Sequence, residues 1–384
     1  MSADAPRTLD IRTLVPGSIE VVGALDFDQR PQGMSPRRLP DWTRAQLPQP
    51  MDVMVRMPSG VRLRFATSAR RLGLSFHATN LVTPPAARRS IPFSLEIDSE
   101  LHSTGSDRGN TIVLNPRNPG DFQLQRGEPD TVWFEGLSAD WKCCELWLPH
   151  NAFIELRSLS IDADAKIRAA ESDSRPRWLH YGSSISHCME ADQPGLIWPA
   201  VAARAAGCSL QNLGFGGQCH LDQFVARTIR DSGADLISIK TGINVINMDS
   251  MRERVFTPAV HGFLDTIRER AAKTPILLIS PIFCPSAEHQ PGPTLPDESG
   301  KFVTFSGNSL LRQGCLTLVR VRELLSRIVA QRRSDGDHQL HYVDGLSLFG
   351  AEDARDLPDD LHPNPAGYIR MGERFAPVLK RLLQ

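Results

Sequence analysis

Arg177-Trp178-Leu179-His180-Tyr181-Gly182-Ser183-Ser184-Ile185-Ser186 is the stretch on which the fold turns. Trp178–Tyr181 is an apolar-rich run of strand length, and a Gly-Ser-Ser turn stops it at once. The same grammar recurs downstream. Leu210–Leu213 runs into Gly214-Phe215-Gly216-Gly217, Leu236–Ile239 into Lys240-Thr241-Gly242-Ile243-Asn244, and Ile276–Ile279 and His341–Val343 add two further strands. Helical segments separate them at Ile197–Ala206, Leu221–Asp231, Ser250–Ala272 and Ser309–Arg332, and Pro365–Leu383 closes the chain. Strands alternating with helices predict an α/β domain whose parallel sheet is covered on both faces. One interval breaks the rhythm. Cys284–Ser306 carries Pro285, Pro291, Pro293 and Pro296 with little periodicity, which predicts a lid or substrate-binding loop.

Upstream the pattern changes. Between about residues 15 and 160, short β-type runs are broken by turn residues, as in an antiparallel β-sandwich. Met51–Met57 and Val61–Phe65 alternate about a Pro58-Ser59-Gly60 turn and predict a hairpin. Further strands are expected at Phe93–Ile97, Thr111–Leu114, Phe122–Gln125, Val132–Phe134, Glu145–Leu148 and Phe153–Leu159, with turns at Asn115–Gly120 and Gly127–Asp130. The polar stretch Asp162–Arg177 reads as the connection. The domains expected are therefore 1–165, a sandwich of jelly-roll-like or carbohydrate-binding-module-like kind, and 166–384, an α/β domain with its Pro-rich insertion near 284–306.

The whole chain has 384 residues, enough for about two domains and a large core. Lys+Arg is 43 against Asp+Glu 44, a net charge of -1, which gives no general pull toward nucleic acid or anionic lipid. No run approaches the ~20 apolar residues that span a bilayer. The first residues show no apolar core of signal-peptide length, and the seven cysteines are an odd number. Reduced thiols and a cytoplasmic location are the expectation.

In an open α/β sheet the site lies beyond the carboxyl ends of the strands. Beyond the strand ends of this chain stand a serine turn, a glycine-rich turn, an amide side chain in Gly242-Ile243-Asn244, and an acid three residues before a histidine in Asp359-Asp360-Leu361-His362. Those are the parts an acyl-transfer site needs: a nucleophile, a base, an acid to orient the base, and N–H donors for an oxyanion. No Gly-x-Ser-x-Gly elbow occurs, which argues against the α/β-hydrolase fold.

The four blocks, each after a strand and all in order, resemble those of the SGNH, or GDSL, hydrolase superfamily. The resemblance covers residues 178 to 368. It implies a flavodoxin-like three-layer domain with Ser184 as nucleophile and Asp359 and His362 completing the triad. The oxyanion hole would be formed by Ser184, Gly217 and Asn244. Two positions depart from the pattern: Ser183 stands where the family has aspartate, and Asp360 where it often has glycine. The second puts an extra carboxylate beside His362, able to perturb its pKa. A sandwich ahead of the GDSL domain is also similar to a branch that contains natural-product acyltransferases, a salicylyl transferase acting on a tetracycline scaffold among them.

Three readings remain open. The first is an O-acyltransferase moving an acyl group from a thioester, linked to CoA or an acyl carrier protein, to a hydroxyl of a small natural product such as a polyketide. The second is an esterase or deacetylase acting on a carbohydrate or small ester, and the third a non-catalytic glycan-binding protein. No cofactor, metal, nucleic acid or membrane is expected to take part. His187-Cys188 and Cys219-His220 lack metal-ligand spacing and read as pocket-wall residues. Trp133, Trp141 and Trp147 read as sandwich core, with sugar stacking the rival reading. Cys143-Cys144 alternates across a strand, so one thiol should face a core.

Overall fold

The computed structural model describes residues 5–115, 118–305 and 312–383. The chain divides into two compact units. Met1–Arg44, Val55–Ser174 and Asp192–Gly195 form one; Ala45–Met54, Arg175–Ala191 and Leu196–Gln384 form the other.

The first unit holds an eight-stranded and a six-stranded sheet. Pairing is antiparallel except where Leu72–Val82 runs parallel to Asn110–Asn115. Leu72, Leu74, Phe76 and Ala78, every second residue of that strand, are all buried. They share a core with Phe65, Phe93, Leu95 and Leu146 of the other sheet, and the Phe76 and Phe93 rings meet at 4.7 Å. Cys144 is buried there while Cys143 is exposed, as the alternation requires.

One expected hairpin is not formed. Gln49–Val55, which includes most of the run read as its first strand, is a helix. Met51-Asp52-Val53-Met54-Val55 satisfies a period of two, but Met51 and Val55 are also one helical turn apart, and both are buried. Pro50 has no N–H for a ladder and fits a first helical turn, so it tips the choice. The second run does form a strand, Arg62–Thr67, paired with Lys142–Trp147. In the expected turn Asn115–Gly120, residues 116 and 117 lie outside the described residues, and Asn118–Gln125 is strand.

The second unit contains a parallel sheet of five strands. In spatial order they are Ser209–Gly214, Arg177–Gly182, Leu236–Lys240, Ile276–Ile279 and Leu340–Val343, the flavodoxin-like sequence 2-1-3-4-5. Arg177–Gly182 shows why both faces are covered. Trp178 turns to one side, against Trp198 and Phe375 at 6.1 and 5.6 Å; these belong to the helices Trp198–Ala206 and Pro365–Leu383. Tyr181 turns to the other and stacks at 5.4 Å on Phe263 of the helix Glu253–Arg268. The Pro-rich interval carries a small hairpin, Thr294–Pro296 against Phe302–Thr304. It is also anchored: Glu288 is buried and paired through both oxygens with Arg322 at 2.5 and 3.0 Å. The helix expected from Ser309 begins at Leu318, where Thr317 caps it by accepting from the Arg320 N–H at 3.2 Å; Ser309 lies outside the described residues.

Among the described residues no helix is long and apolar enough to cross a membrane.

Candidate active site

Gly182 ends the first strand of the parallel sheet, and the one-turn helix Ser184–His187 follows. Ser183 caps it, its hydroxyl accepting from the Ile185 N–H at 3.3 Å, so the serine in place of the family's aspartate has a structural use. Ser184 is the first helical residue, a position whose N–H has no acceptor within the helix. The carbonyl of Ile185 is held by Trp198 Nε1 at 2.9 Å and that of Ser186 by Asn212 Nδ2 at 3.0 Å. Two glycines make this possible. A Cβ on Gly182 would lie 2.2 Å from Ser186 Oγ, and one on Gly214 would lie 2.4 Å from the Ser186 carbonyl carbon.

Ser184 Oγ lies 2.8 Å from His362 Nε2, and His362 Nδ1 lies 2.6 Å from Asp359 Oδ2. The acid and the imidazole share one loop. Asp359 Oδ1 accepts from the Leu361 and His362 N–H groups at 3.0 and 2.6 Å, which folds the loop tightly enough for its other oxygen to reach the ring. Asp360 sits at φ +63, the left-handed conformation that glycine adopts freely and aspartate tolerates. That conformation accounts for a frequent glycine at this position.

The other two expected residues follow the strands on either side of Arg177–Gly182. Asn244 is the second residue of the short helix Ile243–Asn247 that follows the strand Leu236–Lys240. Its Oδ1 accepts from the Cys219 N–H at 2.9 Å, which turns its amide nitrogen the other way. Gly217 has φ +68. His220 Nε2 donates to the Gly217 carbonyl at 3.1 Å, and His220 Nδ1 accepts from Ser250 Oγ at 2.9 Å. Next to it, a Cβ on Gly216 would stand 3.8 Å from Ser184 Cβ, which places this turn beside the serine.

Charge on the imidazole is favoured. Burial opposes the imidazolium, but the carboxylates of Glu190 and Asp359 outweigh it and lift His362 to about 9. Burial pushes the Asp359 carboxyl up; the His362 hydrogen bond and charge overcome it, so the net direction is down. The extra carboxylate is therefore not the one that the sequence points to. Asp360 pairs with Lys301 at 3.2 Å, whereas Glu190 stands 3.9 Å from His362 Nδ1. Nothing in the local sequence singles out Glu190.

The other singled-out residues have defined surroundings. His187, Cys188 and Cys219 are buried, with the Cys188 and Cys219 thiols donating to the carbonyls of Ile185 and Lys240. In the first unit an arginine lies over each of the three singled-out tryptophans: Arg71 over Trp133, Arg168 over Trp141 and Arg62 over Trp147, at 3.9, 4.5 and 4.7 Å. Trp147 is buried, while Trp141 is exposed rather than part of a core.

Residues 180–370 match the GDSL-like Lipase/Acylhydrolase family. No curated protein sequence matches the chain. Among solved structures, the salicylyl-acyltransferase SsfX3 from a tetracycline biosynthetic pathway is 28% identical, with TM-score 0.79, over 97% of this chain and 96% of that one. A Bacteroides ovatus protein described as a GDSL-like lipase is 17% identical, with TM-score 0.72, over 99% of this chain and 98% of that one. A family two carbohydrate esterase from Cellvibrio japonicus is 13% identical, with TM-score 0.59, over 99% of this chain and 98% of that one.

Proposed function

With residues 180–370 a domain of the GDSL-like lipase/acylhydrolase family, we propose that the protein is a serine-dependent O-acyltransferase working through an acyl-enzyme. The observation that carries the chemistry is the continuous chain Ser184 Oγ, His362, Asp359, with contacts of 2.8 and 2.6 Å. Ser184 Oγ attacks the carbonyl carbon of a thioester and gives its proton to His362 Nε2. The oxyanion is received by the Ser184 and Gly217 N–H groups and the Asn244 amide. The C–S bond then breaks and the departing sulfur takes the proton from His362. In the second half an acceptor hydroxyl gives its proton to His362 and attacks the ester, and Ser184 Oγ leaves with that proton.

Transfer to an alcohol is favoured over transfer to water by the 28% identity to a salicylyl-acyltransferase, which spans nearly the full length of both chains. The carbohydrate esterases, at far lower identity, support the fold alone. By this reading the donor is an acyl-thioester, CoA- or carrier-protein-linked, the acyl group is aromatic and salicyl-like, and the acceptor is a hydroxyl of a polyketide-like small molecule. A cytoplasmic setting, where thioesters are made, belongs to the same proposal. The hairpin in the Pro-rich interval supports an aromatic acyl group: Phe302 meets the His362 ring edge to face at 5.6 Å, Leu295 on the opposite strand is exposed, and so is Phe305 just beyond the hairpin. The second reading, an esterase, rests on the family itself.

Intact-protein mass spectrometry after brief mixing with a panel of acyl-thioesters and simple esters tests this. A mass gain of one acyl group is expected, absent in Ser184→Ala, persisting in buffer and discharged by an alcohol acceptor. Rapid clearance by water would move the assignment to an esterase. Neither adduct nor product from any donor would overturn acyl transfer altogether.

A further inference from the structure

Cys188 ends the one-turn helix in the left-handed conformation, φ 62, so the chain reverses within two residues of it. That reversal returns Glu190 to the edge of the His362 ring. Glu190 Oε1 lies 3.9 Å from His362 Nδ1, while Glu190 Oε2 accepts from the Tyr368 hydroxyl at 2.7 Å. Tyr368 is buried in the helix Pro365–Leu383, only six residues beyond His362. Glu190 and the Asp359–His362 loop thus meet at one nitrogen, and Tyr368 holds Glu190 from behind.

We propose that Glu190 is a second acidic partner of His362, a positioning residue locked by Tyr368 that sets the protonation of the imidazole. The proposal deepens the acyl-transfer reading and rests on it for its kinetic consequence. At 3.9 Å the carboxylate is too far for a hydrogen bond but inside the range where an opposite charge favours the imidazolium. The other groups facing this corner do not compete for that role. Asp359 already holds Nδ1 from the histidine's own loop at 2.6 Å, and Asp360 is paired with Lys301 of the hairpin at 3.2 Å. Burial pushes the Cys188 thiol and the Tyr368 phenol well above their usual values, so both stay protonated and Tyr368 stays a donor. Burial likewise raises Cys284, whose thiol donates to the Asp360 carbonyl at 3.1 Å.

In the unacylated protein the second carboxylate acts with Asp359 to favour the charged imidazole, which is lifted to about 9. It also stabilises the imidazolium that forms as Ser184 gives up its proton. Removing the charge should therefore move the acid limb of the rate profile downward.

The test is an NMR titration of His362 in Glu190→Gln, paired with kcat/KM for acyl transfer against pH. The side chain of Glu190 is 32% exposed, and the amide oxygen of glutamine can still accept from Tyr368, so the fold should tolerate the change. A fall of about one pH unit or more is expected in both readouts, since a nearby opposite charge is worth ~1–3 units. Tyr368→Phe, which leaves the charge but frees it to move, should give a smaller fall in the same direction. Asp360→Asn should leave the titration in place. A Glu190→Gln titration that superimposes on the wild type would overturn the proposal, even if acylation is intact. The titration needs no substrate: a shifted His362 in a protein that forms no acyl-enzyme would sink the acyl-transfer reading and leave this one standing.

Discussion

Two histidines bond to the same one-turn helix, and their fates are opposite. His180 Nε2 meets Ser186 Oγ and His180 Nδ1 meets Ser238 Oγ, both at 2.7 Å. His362 Nε2 meets Ser184 Oγ at 2.8 Å and His362 Nδ1 meets Asp359 Oδ2 at 2.6 Å. Each is an imidazole between a helix serine and a second oxygen. Burial, with the charge of Lys240 added, drives His180 well below the ordinary histidine range, whereas Glu190 and Asp359 lift His362 to about 9 despite burial. A serine–histidine contact is thus not a catalytic unit. The carboxylates and the partial exposure of the ring make the difference: the His362 side chain is 12% exposed, and His180 is sealed at 0%.

The strongest way to break the comparison is to remove the two serines in turn. Ser184→Ala should lower kcat by about 10⁴-fold or more and abolish the acyl adduct. Equal losses in Ser184→Ala and Ser186→Ala would mean that the two clusters had been assigned wrongly. Asp359→Asn makes the exposed cluster resemble the sealed one. Its loss in kcat should stay below the ~10⁴-fold that such a change can cost, because Glu190 remains, and adding Glu190→Gln should deepen it. Asn244→Ala leaves both histidines alone and removes the amide proposed as an oxyanion donor, so kcat should fall by roughly 10²–10³ with the pH profile unmoved. Replacing Leu295–Phe305 by a short turn should raise acceptor KM while acyl-enzyme formation continues; loss of acylation would show that the hairpin does more than bind. The deletion must stop short of the buried Glu288–Arg322 pair. Ser186→Ala is the mildest for activity: it strips His180 of a partner and should cost about 1–3 kcal/mol of stability, read as a lower Tm, with kcat per folded molecule nearly unchanged.

The parallel sheet and the four loop blocks are legible in the sequence because each couples a local chemical need to a local pattern. Gly182 is required by the close approach of the Ser186 side chain and Gly214 by that of the Ser186 backbone, and Asp359 and His362 sit three residues apart on one loop. Glu190 is not legible, since its place depends on a left-handed turn at Cys188 and on a tyrosine 178 residues away. The helix Gln49–Val55 reads as a strand because its apolar residues fit either period. Leu72–Val82, the longest strand, escapes the pattern: it mixes His77, Thr79 and Asn80 among apolar residues and pairs with strands from distant parts of the sequence.

The missing Cβ atoms at 182 and 214 have a consequence in time. With no side chain between them, the helix that begins at Ser184 lies directly on the ends of two neighbouring strands, stitched by Asn212 and Trp198. Such a segment opens with the sheet rather than on the fast schedule of a surface loop. The Ser184 N–H is then in place whenever the domain is folded, and on the acyl-transfer reading a substrate need not wait for this one donor to be set.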